Sequence, residues 1–429
     1  MNDVYLLPAT LDLDTRIRSR IIADYERFGD SSLPQKVEEY ILEQYGIDVS
    51  SRYGRFPIKN PFGKASGQLS TNLAQVTGDA QAGLGFVVLK TVIAQDQAGH
   101  STMGQWKVAA PHMVVERIIS RRGEEGWTVT WKGRGWEKSF AAYLDFMRDA
   151  LQVGKQYGIP IVPSCKYHLP AAGEAYKEEE YQYTTRELLR VWQQVNPDLP
   201  MPLEKDFSPT LAGADVSKDR ENILRWLSEV PARIKKWCQA GEIYLGLKLM
   251  NAMYGEDFQL EMLSRCLAEG DRPGADFLVC FNRLFDPERV FEGKQGVAYG
   301  GYDLSDRNLA VLTALRRRES GGSLQARDIP ICATGNINSG RMMVEYALRS
   351  CLCGEIHTYF QLPANQYRMR KGSRTRKALH ELFFHPDNGL VAVMAWLRER
   401  WGIGREEGII RFTDIAAWYR RQPLFSQVK

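Results

Sequence analysis

Apolar positions in this chain recur at helical spacing near both ends and alternate with short strand-like runs in between. Ile17, Ile21, Ile22, Tyr25 and Phe28 mark one apolar face, and Val37, Tyr40, Ile41 and Tyr45 mark another, so residues 1–54 are expected to form a helical extension. Trp127, Val129 and Trp131 alternate with Thr within 123–132, as in a hairpin strand. Phe140, Leu144, Met147 and Leu151 predict a helix leading to a strand at 159–163, and a second helix is expected over 222–237, kinked or split at Pro231. Strands at 245–250, 277–281 and 329–334 are each followed by a helix, from 257, 305 and 339. That rhythm is the βαβ signature of a parallel sheet. The polar stretch 170–203, with Glu178-Glu179-Glu180, is expected to be an insertion or lid, or else a solvated helical excursion. After Thr358 an extension with a basic run (366–377) and an amphipathic helix is expected.

Composition narrows the class. A chain of 429 residues with 44% hydrophobic and 25% charged content is ordinary for a globular protein, and a net charge of +4 argues against nucleic acid as a partner. No run of about 18 apolar residues predicts a membrane span. The start MNDVYLLPATLDLD has acids where a signal peptide needs a basic start and an apolar core. Seven cysteines include one close pair, Cys351 and Cys353, too sparse for a zinc or iron–sulfur site. Free buried thiols, and with them a cytoplasmic location, are expected, and no metal.

The chemistry sits at strand ends. Among NPFGKASG (60–67), FVVLKT (86–91), DFSPT (206–210), LGLKLM (245–250), FLVCFN (277–282), YGG (299–301), ATGNINSG (333–340) and EIHT (355–358), most stop an apolar run at small or polar residues. In an α/β barrel such ends form the ligand-binding rim. Gly335-Asn336 lies between a strand and a helix, where backbone N–H groups and the helix dipole make an anion site, with His357-Thr358 beside it. Lys90 and Lys248 end apolar strands. Ser164, Cys165 and His168 form a further polar cluster after the strand at 159, with His168 or Cys165 as an alternative acid.

In order and spacing these segments resemble the dihydroorotate dehydrogenase family of FMN-dependent enzymes, over roughly residues 55–360. The resemblance implies an α/β fold, a (β/α)8 TIM barrel over 55–364, with extensions at 1–54 and 365–429. It implies FMN held by Ala65, Ser66, Gly67, Lys90, Thr91, Ser164, Lys248, Gly300, Gly301, Gly335, Asn336, His357 and Thr358. Lys248 would face flavin N1, and Lys90 would lie between flavin and substrate. Ser208 aligns with the family's proton-transfer residue, and Asn282 with a substrate-binding asparagine. Lys205 and Thr210 replace two asparagines that grip a pyrimidine, so the expected substrate is a small anion oxidised or reduced across a C–C bond. The electron donor or acceptor stays open, as does assembly as a homodimer. Two other readings remain: a flavin-free phosphate-binding lyase with a Schiff-base lysine, and a flavin-binding protein without turnover.

Overall fold

The computed structural model describes residues 4–104, 112–119, 125–132, 135–207, 220–252, 254–268, 272–291, 294–302, 304–324 and 327–418. Helices α1 (Thr15–Asp30) and α2 (Val37–Tyr45) open the chain, followed by strands β1 (Ile47–Asp48), β2 (Ser51–Tyr53) and β3 (Phe56–Ile58). The Asp14 carboxylate caps α1 by accepting from the Arg16 and Ile17 amides. Asp24, buried on α1, accepts from the hydroxyls of Tyr40 and Tyr45, both at 2.7 Å, and so ties α2 across it.

A strand–helix alternation then begins. It runs β4 (Phe62–Lys64), α3 (Leu73–Ala82), β5 (Phe86–Val88), β6 (Val92–Ile93), a hairpin of β7 (His112–Ile119) and β8 (Glu125–Lys132), and α4 (Phe140–Tyr157). Next come β9 (Ile161–Val162), β10 (Ser164–Lys166), α5 (Glu178–Val195), β11 (Met201–Asp206), α6 (Arg220–Lys235), β12 (Ile243–Asn251) and α7 (Glu256–Leu267). The chain continues with β13 (Phe277–Phe291), β14 (Lys294–Gly301), α8 (Leu304–Ser320), β15 (Ile331–Thr334), α9 (Gly340–Ala347) and β16 (Cys351–Ile356). It ends in α10 (Arg374–Phe384), α11 (Leu390–Trp401), β17 (Ile410–Arg411) and α12 (Phe412–Ala416).

Ten strands form one curled parallel sheet, in the order β6-β10-β11-β12-β13-β15-β16-β4-β5-β9, with helices around it in a TIM-like α/β arrangement. On its inner face Tyr53, Phe86, Val88, Val162, Phe277, Val279, Cys332 and Cys353 make a small apolar core of their own, separate from the larger core between sheet and helices. Among the described residues no helix is long and apolar enough to cross a membrane.

Three expectations need revision. The stretch 170–203 is no lid: it holds α5, a helix against the sheet, and the start of β11. Its buried face uses Tyr181, Thr184, Thr185 and Trp192 beside Leu188 and Val191, so polarity hid the periodicity. Helix α6 is not split at Pro231, which lies inside it. Gly300 and Gly301 end no strand of the parallel sheet; they lie in β14, antiparallel to β13 and β8. The terminal segments meet each other and the sheet's helices: β17 pairs with β1, α10 packs on α1 and α3, and α11 packs on α9.

Candidate functional site

Side chains two residues apart on a strand share a face. Two positions beyond the apolar core, the inner face therefore changes character. Val88 is followed by Lys90, Val162 by Ser164 and Lys166, and Cys353 by Glu355, while β11 and β12 contribute Glu204, Asp206 and Lys248. All are buried.

These charges are not left bare. Lys248 Nζ lies 2.5 Å from Glu355 Oε2 and 3.4 Å from Glu204 Oε1, and the Tyr53 hydroxyl reaches both carboxylates at 3.4 Å. Burial alone would depress the Lys248 pKa, but Glu204, Glu355 and Asp206 outweigh it and raise it. Glu204 is pushed well above the usual carboxylate range by burial and by Glu355 beside it. Asp206 stays below that range because Lys166, at 3.6 Å, and Arg283 overcome its burial. Lys90 is pulled down to about 7 by burial and by Arg283, with Asp206 opposing. Burial also lowers Arg283 to about 10.

Above this charged layer opens a cavity of about 1430 Å³. Lys90, Asp206, Lys248, Asn282 and Arg283 line its floor side, and one wall is the 335–339 turn. The hairpin strands supply Trp127, Gly300 and Gly301. At the turn, Gly335 has φ 108° and Asn336 φ 52°, both left-handed. A side chain at Gly335 would also strike Asn308 Nδ2 at 2.4 Å. Asn308 Nδ2 donates to the Thr334 carbonyl at 2.9 Å, and Asn336 Nδ2 donates to Ser305 Oγ at 2.9 Å, so the turn is braced from α8. Ser339 caps α9 by accepting from the Met342 amide. The turn thus delivers small residues and a helix N-terminus to the cavity wall, which suits a phosphate.

Across from it, the His357 ring packs on Gly67, where an added Cβ would sit 2.2 Å from Nε2. Gln361 Nε2 is 2.9 Å from His357 Nδ1. Burial, with Lys64 and Lys90 nearby, lowers His357 to about 3, so the imidazole is neutral at physiological pH.

Most of the residues singled out in the sequence meet here. Ala65, Ser66, Gly67, Lys90, Thr91, Lys248, Asn282, Gly300, Gly301, Gly335, Asn336, His357 and Thr358 all line the cavity. Ser208 and Thr210 lie outside the described residues. Ser164 is wholly buried beneath the cavity, against Thr91 and Glu204. Lys205 does not come to the cavity at all. It stands between inward-facing Glu204 and Asp206, so alternation sends it to the outer face. There its ammonium donates to the Asp206 carbonyl at 2.9 Å and sits 4.4 Å from the Phe207 ring centre. Arg283 does line the cavity and was not singled out in the sequence, and Arg341, Arg368, Arg370 and Lys377 reach it as well. The position of Arg283 one residue past Asn282, at the end of the 277–281 run, was the available signal. His168 points elsewhere, with Nε2 3.2 Å from Glu174.

The cavity exceeds the roughly 300–1,000 Å³ of an ordinary ligand pocket, so a mononucleotide and a small substrate can share it. Its donor set is a left-handed Gly-Asn turn at a helix start, a lysine from the floor, and a wall at Gly67 that tolerates no side chain. Among the described residues no group of His, Cys, Asp or Glu is arranged to hold a metal ion. No protein-family model matches the chain, and no curated protein matches it in sequence.

Proposed function

We propose that this chain is a cytoplasmic FMN-dependent oxidoreductase, dihydroorotate dehydrogenase-like, acting across a C–C bond of a small anionic substrate. The observation that carries the reading is the convergence of separate strand ends on one cavity, with two lysines at its floor and a left-handed turn at a helix start in its wall. The underlying fold is read as a (β/α)8 barrel. Strands β9 and β10 flank Pro163 as one interrupted strand, bonded on one side to β5 and β6 and on the other to β11. The bonds Leu89 N to Val162 O at 2.8 Å and Glu204 N to Pro163 O at 3.0 Å support continuity across the proline. Counting β5 with β6 and β9 with β10 gives eight strands, β16 returning to β4. All seven cysteines are free thiols, as a reducing compartment favours.

In this reading the Gly335–Asn336 turn and the start of α9 hold the phosphate, Ala65 and Gly67 admit the ring system closely, and Lys248 offers positive charge to it. When bound, FMN supplies hydride transfer. Lys90 and Arg283 hold the anionic substrate, Asn282 orients it, and Ser208 moves the proton. Neutral His357 adds a hydrogen-bonding wall without further charge.

Purified protein should be yellow and release FMN on denaturation. Asn336→Asp keeps a residue tolerant of left-handed angles but sets a carboxylate at the turn, and should weaken FMN binding by about tenfold or more. Unchanged affinity, read by flavin fluorescence, would remove the phosphate assignment. Flavin that no small anionic substrate bleaches anaerobically would leave a flavin-binding protein without turnover.

One observation favours a second reading. Lys90, at about 7, is partly the neutral amine that attacks carbonyls, and it has no ion-pair partner among the described residues. A colourless protein trapped at Lys90 by borohydride with a carbonyl substrate would establish a Schiff-base lyase.

A further inference from the structure

Ser164 stands one layer below the cavity, and its neighbours show what it connects. Ser66 Oγ is 2.7 Å from Thr91 Oγ1, Thr91 Oγ1 is 3.1 Å from Ser164 Oγ, and Ser164 Oγ donates to Glu204 Oε1 at 3.2 Å. Ser66 and Thr91 line the cavity, whereas Ser164 and Glu204 are fully buried. Three hydroxyls in a row thus run from the cavity to an interior carboxyl. A hydroxyl both donates and accepts, and a rotation about its C–O bond reverses the direction, so such a row can pass a proton either way.

The inner end of the row is a place that needs a proton. Glu204 on β11 and Glu355 on β16 face the single ammonium of Lys248 on β12, with the Tyr53 hydroxyl from β2 bridging them at 3.4 Å. Below them are the thiols Cys332 and Cys353, and farther up Asp206 is paired with Lys166. Two carboxylates around one ammonium, shielded from water, carry a surplus negative charge that one bound proton removes.

We propose that Ser66, Thr91 and Ser164 form a proton relay between the cavity and Glu204, and that Glu204, with Glu355 and Lys248, is the proton store that the relay serves. When a base in the cavity takes the Ser66 hydroxyl proton, the Thr91 proton moves to Ser66, the Ser164 proton to Thr91, and the Glu204 carboxyl proton to Ser164. One proton leaves, no electron moves, and Glu204 ends as a carboxylate facing Lys248. Uptake runs the same steps in reverse. The proton's use, to accompany hydride transfer across a C–C bond, rests on the proposed oxidoreductase reading; the relay rests on these side chains alone. Ser164 and Glu204 are positioning residues, acting on the cavity through Thr91 and Ser66.

Infrared difference spectroscopy on the full-length protein tests this without turnover. Wild type minus Glu204→Gln at neutral pH should show a protonated-carboxyl band, which shifts when the protein is moved into D2O. In Ser164→Ala that shift should slow by about tenfold or more, because exchange must then await local opening, and Ser164→Thr should restore it. Should Glu204→Gln fail to fold, wild type labelled with carboxyl-13C glutamate reports the same proton by NMR. An ionised Glu204 at neutral pH overturns the store, and wild-type exchange in Ser164→Ala overturns the relay. A colourless protein would remove the oxidoreductase reading while leaving band and exchange as predicted, so the two failures are distinguishable.

Discussion

Two layers of the same inner sheet face, one residue pair apart, are built from opposite chemistry. In the lower layer Phe86, Phe277, Val88, Val162, Val279, Cys332 and Cys353 pack with Tyr53 as an apolar plug. In the upper layer the same sheet, now with β11 and β12 contributing, presents Lys90, Ser164, Lys166, Glu204, Asp206, Lys248 and Glu355. Strand geometry and sheet are shared, so the change reflects what each layer is for. The plug gains stability from removing apolar area from water. The charged layer gains little or nothing over an apolar equivalent, since desolvation offsets most of the attraction between buried partners. The proposed use of those charges in the cavity above would account for its arrangement.

The comparison can be broken most severely at Lys248. Lys248→Met leaves Glu204 and Glu355 facing each other, which should cost about 3–5 kcal/mol in a urea melt and abolish any flavin binding. A loss under about 1 kcal/mol would mean the charged layer is solvated rather than buried. Phe277→Leu in the plug should cost about 1–3 kcal/mol and leave ligand affinity in the cavity unchanged, which isothermal titration would check.

Lys90 sharpens the contrast with the opposite sign. Its pKa falls from 10.5 to about 7 on folding, so between those values the unfolded chain binds more protons and stability rises with pH. Below about pH 7 the lysine is charged in both states and the folded state bears the full burial penalty. Lys90→Met should therefore be more stable than wild type at pH 6, with that advantage shrinking toward pH 10, while anion binding weakens. Melts at the two pH values decide it; an advantage that grows with pH would contradict the burial argument. The smallest effect is expected at Lys205. Pointing away from the cavity, Lys205→Met should change flavin affinity by less than about twofold, and a larger loss would place its ammonium on the inner face after all.

Legibility followed the same division. Apolar runs carrying one lysine, such as 86–91 and 245–250, were plain in the sequence, and so were Lys90 and Lys248 within them. Strand β11 was only half visible, because Glu204, Lys205 and Asp206 are three charged residues in succession and all three are buried. Such a run reads as solvent-facing unless its partners are known, and those partners come from Ser164, Lys166 and Lys248 on two neighbouring strands. Helix α5 was hidden for a related reason, with Thr184 and Thr185 on its buried face: Thr184 exchanges hydrogen bonds with the Gln95 backbone, and the Thr185 hydroxyl meets that of Tyr167.

The chain's own pattern determined the alternation of strand and helix, the left-handed Gly335–Asn336 turn, and which residues end the strands, because these depend on neighbours a few positions away. Tertiary structure alone decided that Lys205 turns outward while Arg283 turns in, and that Gly300 and Gly301 belong to a hairpin paired with β8, about 170 positions earlier. It also decided that the hydroxyls of Ser66, Thr91 and Ser164 line up toward Glu204. Register between distant strands sets those outcomes, and a shift of one residue would reverse every face.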